Sequence, residues 1–209
     1  VLVDDNTSRD ENKYQNQYEF AAGIDEVGRG TLAGPVVAAA VILPKNSFLD
    51  GLDDSKKISE KNRNVLAKKI FRQAISYSIA YADVNEIDNL NILWATMLAM
   101  RRSILGLAFA PNFIRVDGNI LPNLDFYNKV LPGEAIVGGD GKIEAISAAS
   151  IIAKVYRDAL MSTFDSIYPG YNFSNHKGYG TKEHLERIKT NGPCLQHRMS
   201  FKPFCKNTI

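Results

Sequence analysis

The sequence has few of the residues from which disulfide-stabilised, zinc-binding or membrane-spanning proteins are built. Only two cysteines and three histidines occur in 209 residues. Cys194 and Cys205 lack metal-ligand spacing, so we expect reduced thiols and a cytoplasmic location. His176 and His184 have no third partner nearby in the sequence and are predicted to be surface residues. No stretch approaches the ~20 apolar residues of a transmembrane helix, so no membrane partner is expected.

A strong excess of one charge is also missing. The chain has 25 Lys and Arg against 23 Asp and Glu, a net charge of +2. This balance does not demand a nucleic-acid partner, but a basic face can coexist with an acidic site. Residues 1–17 are polar and acidic and are predicted to be a flexible tail. Residues 18–209 are long enough for one domain with a sizeable core.

The spacing of apolar residues predicts strands that alternate with helices. Strands are predicted at residues 20–25, 36–43, 75–82, 113–116 and 134–137. Helices are predicted from Ser59, from Asn85 and Asn91 to about residue 107, over 142–164 and over 181–190. A short glycine-rich turn joins the first two strands, so we expect them to be antiparallel. This order indicates an α/β domain with a mixed sheet flanked by helices.

Acidic residues follow three of the apolar runs. Asp25 and Glu26 end the first run and precede a glycine–arginine–glycine turn, while Asp117 and Asp140 each stand before a glycine. Neighbouring side chains of a strand point to opposite faces, so a tandem acidic pair suits a strand end beside a cleft. An aspartate before a glycine is also ordinary turn chemistry, and this explains Asp117 or Asp140 better than a functional role does when either is taken alone.

Taken together, the four carboxylates predict a site for a hard cation. Oxygen ligands without histidine or cysteine favour Mg²⁺ or Mn²⁺ over zinc. Four nearby carboxylates would raise one another's pKa unless a metal supplied compensating charge. Two such ions can activate a water and stabilise the leaving oxygen of a phosphoryl displacement. Phosphate hydrolysis is therefore the predicted chemistry.

Two segments offer groups that suit a phosphate or a sugar. Gly28, Arg29 and Gly30 allow close approach to their backbone, although a tight turn explains the glycines equally well. Ser55 and Lys56 offer a hydroxyl and an ammonium group for phosphate, although a lysine here is also typical of a solvated surface.

A third group lies on the predicted helix over 142–164. Ser147, Ser150 and Lys154 are three and four residues apart, share one helix face and could line a phosphate groove. Close helix packing explains the two serines equally well. Asp158 competes with Asp140 as the fourth carboxylate, but its position four residues after Lys154 is read more simply as an ion pair.

Eight segments of the chain resemble, in order, the motifs of the ribonuclease HII family. They are residues 22–37, 51–60, 91–100, 116–119, 139–141, 146–158, 176–181 and 197–201. The resemblance extends from about residue 19 to residue 204. The related ribonuclease HIII has a different residue at the position of Arg29 and an extra N-terminal domain, so the resemblance is to the HII type.

The resemblance implies a fold, a site and a reaction. The fold is an RNase H-like mixed five-stranded sheet with a helical C-terminal portion, here spanning residues 18–209. Asp25, Glu26, Asp117 and Asp140 align with the carboxylates that hold Mg²⁺ or Mn²⁺. The enzyme would act as a monomer on RNA–DNA hybrids and on duplex DNA with an embedded ribonucleotide, leaving 3′-hydroxyl and 5′-phosphate ends.

The resemblance also assigns substrate contacts. The turn formed by Gly28, Arg29 and Gly30 would contact the ribonucleotide, and Tyr179 would pack on the adjoining sugar. Without the family resemblance, ordinary packing at the protein surface would explain Tyr179.

Two other functions compete with this interpretation. A non-catalytic nucleic-acid-binding module is disfavoured because carboxylates without metal would repel phosphate. A Mg²⁺-dependent small-molecule phosphohydrolase is disfavoured because Ser55, Lys56 and Lys154 lie far from the acids in sequence and suit a long polyanion better.

Overall fold

A mixed sheet with helices on both faces forms the protein. The computed structural model describes residues 18–45, 47, 49, 51–52, 59–126 and 129–205, so the predicted tail lies outside the described residues. The strands are β1 Ala21–Val27, β2 Val36–Ile42, β3 Ser76–Ala82, β4 Phe113–Asp117, β5 Asp125–Phe126, β6 Lys129–Val130 and β7 Gly133–Ile136. The helices are α1 Glu60–Gln73, α2 Val84–Leu105, α3 Glu144–Ile167, α4 Phe173–His176 and α5 Lys182–Asn191, with a 3-10 turn at Gly139–Gly141.

The sheet order brings the ends of β1 and β4 together. Five strands pair in the order β3-β2-β1-β4-β7, which confirms the predicted mixed five-stranded sheet, and β5 and β6 form a separate hairpin. β1 is antiparallel to β2, as expected, and parallel to β4, with Ile24 opposite Val116. Parallel strands end at the same edge of a sheet. The residues that follow Ile24 and Val116 therefore become neighbours.

The two faces of the sheet are covered by different helices. α2 packs against one face, where Ala22 and Ile24 are fully buried. α1 and α3 cover the other face, against β2. On that face a side chain at Gly23 would lie 2.2 Å from the backbone of Ala145, so the glycine lets α3 approach β1 closely. Asp25 follows Gly23 by two residues and shares its α3-facing side.

The helix starts agree with the sequence prediction at two positions and differ at one. Ser59 is the N-cap of α1, and Asn91 begins the second segment of α2 at a kink where its φ is 67°. The prediction that Asn85 caps the first segment is wrong. Asp83 is the cap, because its carboxylate accepts the Glu86 N–H at 2.8 Å and the Glu86 side chain accepts the Asp83 N–H.

The C-terminal portion contains a buried cluster of aromatic side chains and both cysteines. Cys194 and Cys205 are both free, as expected. Cys194 packs beside Tyr171 and Phe173. In the described part of the chain, none of the helices has the length and apolar character needed to cross a bilayer.

The prediction that His176 and His184 are surface residues is wrong. They are 7% and 0% exposed, and they meet His197, which is 1% exposed. His176 stacks on His184 with ring centres 4.2 Å apart, and the Nε2 atoms of His184 and His197 are 3.1 Å apart. Folding of α4, α5 and the following segment brings together residues that are distant in sequence. Burial lowers the pKa of His184 and of His197 to about 4.

This cluster predicts a loss of stability in acid. In the unfolded chain His184 and His197 take up protons near pH 6.5, whereas in the folded protein they stay neutral until about pH 4. The stabilisation from these two neutral histidines is therefore complete above pH 6.5, and below it the stabilisation declines by roughly 1.4 kcal/mol per pH unit for each of the two. Urea unfolding at pH 7.5 and pH 5.0 measures the decline.

The variant His197→Gln is the comparison for this measurement. Its free energy of unfolding should fall less between the two pH values, because one titrating group is gone. Asp25, whose pKa is raised by burial, acts in the opposite direction in both proteins, so it does not obscure the difference. Equal declines in the two proteins would contradict the prediction.

Candidate active site

Three of the four predicted carboxylates meet at the ends of β1 and β4. Asp25 is 5% exposed. It accepts a hydrogen bond from the Glu26 N–H at 2.7 Å and another from the hydroxyl of Ser150 on α3. Burial raises the pKa of Asp25 well above its usual range, and repulsion from Glu26 and Asp117 raises it further. The site therefore concentrates negative charge that it only partly neutralises.

Glu26 and Asp117 also have protein donors. Arg29 Nη1 lies 3.2 Å from Glu26 Oε1, and its charge opposes the rise in the pKa of Glu26 that burial causes. Asp117 Oδ1 accepts the Gly139 N–H at 2.7 Å. This bond links the end of β4 to the 3-10 turn that contains Asp140.

Asp140 lies in that turn and is 5% exposed. Together with Glu26, Ser150 and Lys154 it lines a cavity of about 220 Å³. The structure thus brings Asp25, Glu26, Asp117 and Asp140 to one edge of the sheet.

The donor chemistry of these residues fits a hard divalent cation. All four offer carboxylate oxygens, and burial, followed by repulsion from Glu26 and Asp117, raises the pKa of Asp25, so a cation there would stabilise its charged form. Over the described residues, no three His, Cys, Asp or Glu side chains already form a ligand cluster. One oxygen each of Asp25, Glu26 and Asp117 is held by a protein donor instead. These hydrogen bonds orient three of the carboxylates without using all of their oxygen lone pairs.

The two glycines of the turn differ in how much room the fold leaves for a side chain. Gly28 has a φ of +93°, and a Cβ there would lie 2.2 Å from Arg157 Nε. Gly30 has no atom within 4 Å of the position of a Cβ. The fold therefore requires a glycine at position 28 but not at position 30. Between them, Arg29 exposes 48% of its side chain.

Lys154 and Tyr179 lie beside the carboxylates. Lys154 Nζ is 2.8 Å from Asp158 Oδ1, which confirms the predicted ion pair, and 6.0 Å from the centre of the Tyr179 ring. Arg63 Nη1 is 3.9 Å from the other oxygen of Asp158. Tyr179 is 43% exposed, so its ring is accessible at the rim of the site.

The expectation that Ser147 lines the same groove is wrong. Ser147 is 3% exposed and donates its hydroxyl to the carbonyl of Leu52 at 2.9 Å. It is buried there because α3 packs closely against the sheet near the start of the helix. Ser150, one turn later, contacts Asp25. Ser55 and Lys56 lie outside the described residues, so their predicted roles remain untested.

Sequence reasoning missed two arginines behind the turn. Arg157 and Arg198 are both 0% exposed. Arginine is almost never fully buried, so apolar periodicity does not indicate such a position. The only available signal was their presence in two of the resembling segments, 146–158 and 197–201.

Comparisons with known sequences and structures show the family and the fold of the chain. The Ribonuclease HII family model matches residues 22–204. A Ribonuclease HII from Shewanella loihica is 51% identical over 184 residues, which cover 88% of each chain. The ribonuclease H2 from Pyrococcus horikoshii has a TM-score of 0.74 at 25% identity, over 88% of this chain and 95% of that chain.

A more distant neighbour shares the fold alone. Bst-RNase HIII, solved in complex with Mn²⁺, has a TM-score of 0.66 at 17% identity, over 91% of this chain and 69% of that chain. The family match covers all of the main sheet except Ala21, the turn at residues 28–30 and the C-terminal portion up to residue 204. The chain therefore belongs to the ribonuclease HII family.

Proposed function

We propose that this metal-dependent ribonuclease H hydrolyses the RNA strand of RNA–DNA hybrids and incises duplex DNA at single embedded ribonucleotides. The products would carry 3′-hydroxyl and 5′-phosphate ends. The observation that supports this proposal best is the contact between Arg29 of the turn and Glu26 of the carboxylate group. It joins a segment suited to sugar recognition to a segment suited to phosphate hydrolysis.

The proposed chemistry requires a divalent cation. Asp25, Glu26, Asp117 and Asp140 would hold Mg²⁺ or Mn²⁺, and the bound ions would supply Lewis acidity to the attacking water and the leaving oxygen. Ser150 and the Gly139 N–H orient two of the carboxylates. Arg29 partly balances the charge of Glu26, and its exposed guanidinium would also be available to a phosphate of the substrate.

The proposed specificity depends on the ribose. The 2′-hydroxyl separates RNA from DNA at a given site, and reading it needs a donor or acceptor close to the sugar. Gly30 supports this role because open space surrounds the position where another residue would have a Cβ. Tyr179 offers an exposed ring for the adjoining sugar, and Lys154 offers a cation for the backbone. A monomeric state and a cytoplasmic location remain predictions from the sequence.

The proposal is tested with a duplex that contains one ribonucleotide in one strand. With Mg²⁺ or Mn²⁺ the protein should incise that strand once, on the 5′ side of the ribonucleotide. Asp117→Asn should lower kcat roughly 100-fold or more while binding to the duplex persists, because it removes a proposed metal ligand. An all-DNA duplex is the control. Cleavage of that control at the same rate, or no cleavage of either duplex, would refute the proposal.

The metal site can be tested without activity. Asp25→Asn should raise the melting temperature of the metal-free protein, because it removes a carboxyl group whose charged form is disfavoured by burial and by repulsion from Glu26 and Asp117. A gain of 1 kcal/mol corresponds to about 2–4 °C in a protein of this size. Added Mn²⁺ should stabilise the wild type more than the variant. Equal stabilisation of both would show that Asp25 is not a ligand.

The two glycines of the turn give a further test. Gly30→Ala should leave the melting temperature unchanged, since its Cβ meets no atom of the protein, but should reduce kcat/KM on the single-ribonucleotide duplex about tenfold or more. Gly28→Ala should lower the melting temperature, because of its positive φ and its contact with Arg157. Full activity in Gly30→Ala would mean that the substrate does not approach this residue.

A further inference from the structure

We infer that Arg157 and Arg198 are positioning residues for the turn at residues 28–30, which they hold with its carbonyl groups inward and its N–H groups toward the substrate. This inference rests on the proposed function, since it assumes that the turn reads the ribonucleotide. Neither arginine would touch the substrate. Each would act through the backbone of the turn.

Arg198 binds the carbonyl groups at both ends of the turn segment. Its Nη2 donates to Gly28 O at 2.6 Å and its Nη1 donates to Arg29 O at 2.8 Å. Its Nε and Nη2 both donate to Gly34 O, at 3.0 and 2.8 Å. One guanidinium therefore fixes three carbonyl groups of a segment seven residues long.

Arg157 approaches the same segment from α3. Its Nε donates to Pro35 O at 3.0 Å, and its Nη2 donates to Ala33 O at 3.0 Å and to Thr31 Oγ1 at 2.9 Å. The Thr31 hydroxyl lies within hydrogen-bond distance of Gly28 O, at 3.1 Å, and of Ala33 O, at 3.0 Å. Thr31 thus connects the second arginine to the carbonyl group of Gly28.

The direction of these carbonyl groups fixes the direction of the turn's donors. In a planar trans peptide the C=O and the following N–H point to opposite sides. With the carbonyl groups of Gly28 and Arg29 directed at buried Arg198, the N–H groups of Arg29 and Gly30 point away from the core. Consecutive N–H groups on one side of a turn form a concave site for an anion or a hydroxyl oxygen.

The two arginines also place positive charge behind the turn. None of the ion pairs formed among the described residues includes either guanidinium. Burial lowers the pKa of Arg157 to about 10 and that of Arg198 to about 9, so both remain protonated at neutral pH. This charge favours a phosphate on the exposed side of the turn and offsets the carboxylates beside it.

Lysine should not replace arginine in this role. A guanidinium has five donors in a fixed plane, whereas an ammonium group has three donors at one point. Arg198 makes four hydrogen bonds to three carbonyl groups, which an ammonium group cannot reach together. Backbone bonds from Leu32 to Gly178 and from Gly34 to Gln196 also hold the segment. A lysine variant should therefore keep the segment in place and lose the orientation of its peptides.

The test measures binding preference in an Asp117→Asn background, where cleavage should be too slow to disturb a binding measurement. Two duplexes are compared, identical except for one ribonucleotide in place of a deoxyribonucleotide. Adding Arg198→Lys should reduce the preference for the ribonucleotide about tenfold, while affinity for the all-DNA duplex stays within about twofold because residue 198 would not contact the duplex. A structural defect alone would weaken binding to both duplexes equally.

Thr31 supplies a second, uncharged test that does not depend on the folding of the arginine variant. Thr31→Val removes the hydroxyl at nearly constant shape, and Thr31→Ser keeps it. In the same background the valine variant should lose preference for the ribonucleotide and the serine variant should retain it. Circular dichroism spectra at the assay temperature should be the same for both variants, although Thr31→Val should melt at a lower temperature because it leaves buried polar groups without the hydroxyl.

The outcomes separate this inference from the proposed function. If the Asp117→Asn parent shows no preference for the ribonucleotide, the proposed recognition itself is refuted. If the parent prefers the ribonucleotide and Arg198→Lys or Thr31→Val keeps that preference in full, the positioning role is overturned and the proposed function stands. Equal loss in Thr31→Ser and Thr31→Val would also overturn it, because the hydroxyl would then be irrelevant.

Discussion

The parallel pairing of β1 with β4 is the constraint on which the site depends. It places Asp25 and Glu26 beside Asp117, although about ninety residues separate them in the chain. Carboxylates this close repel one another, and burial adds to the cost of their charge. The fold tolerates this arrangement through hydrogen bonds from Ser150 and Gly139 and an ion pair with Arg29. A divalent cation would complete the neutralisation that these groups begin.

Acidic and basic groups occupy separate places around this edge of the sheet. Carboxylates line one side of the cavity, while two buried arginines lie behind the neighbouring turn and Lys154 stands at the rim. A polyanion such as nucleic acid needs both features, since metal ions can bridge its phosphate to the acids and cationic groups can hold its backbone. The formal net charge of +2 hides this separation, because opposite local charges cancel in the sum.

The fold could be predicted well from local patterns because these patterns are physical causes of the elements. Short apolar runs and alternating spacing placed every strand of the main sheet, and Ser59 and Asn91 cap their helices as expected. The prediction that Asn85 caps a helix was wrong because Asp83, two residues earlier in the chain, forms a capping box with Glu86. The hairpin of β5 and β6 was missed because two-residue strands have no periodicity to detect.

The sequence by itself determined the family, the sheet and the four carboxylates that stand at the ends of apolar runs. Each of these features is contained in a short contiguous segment, so it can be read without knowing the contacts between segments. Only the tertiary structure decided which polar residues face the site and which face the core. It buried Ser147, clustered His176, His184 and His197, and directed Arg157 and Arg198 at the backbone of the turn. These placements depend on contacts between segments as many as 170 residues apart, and no local pattern encodes a partner at that distance.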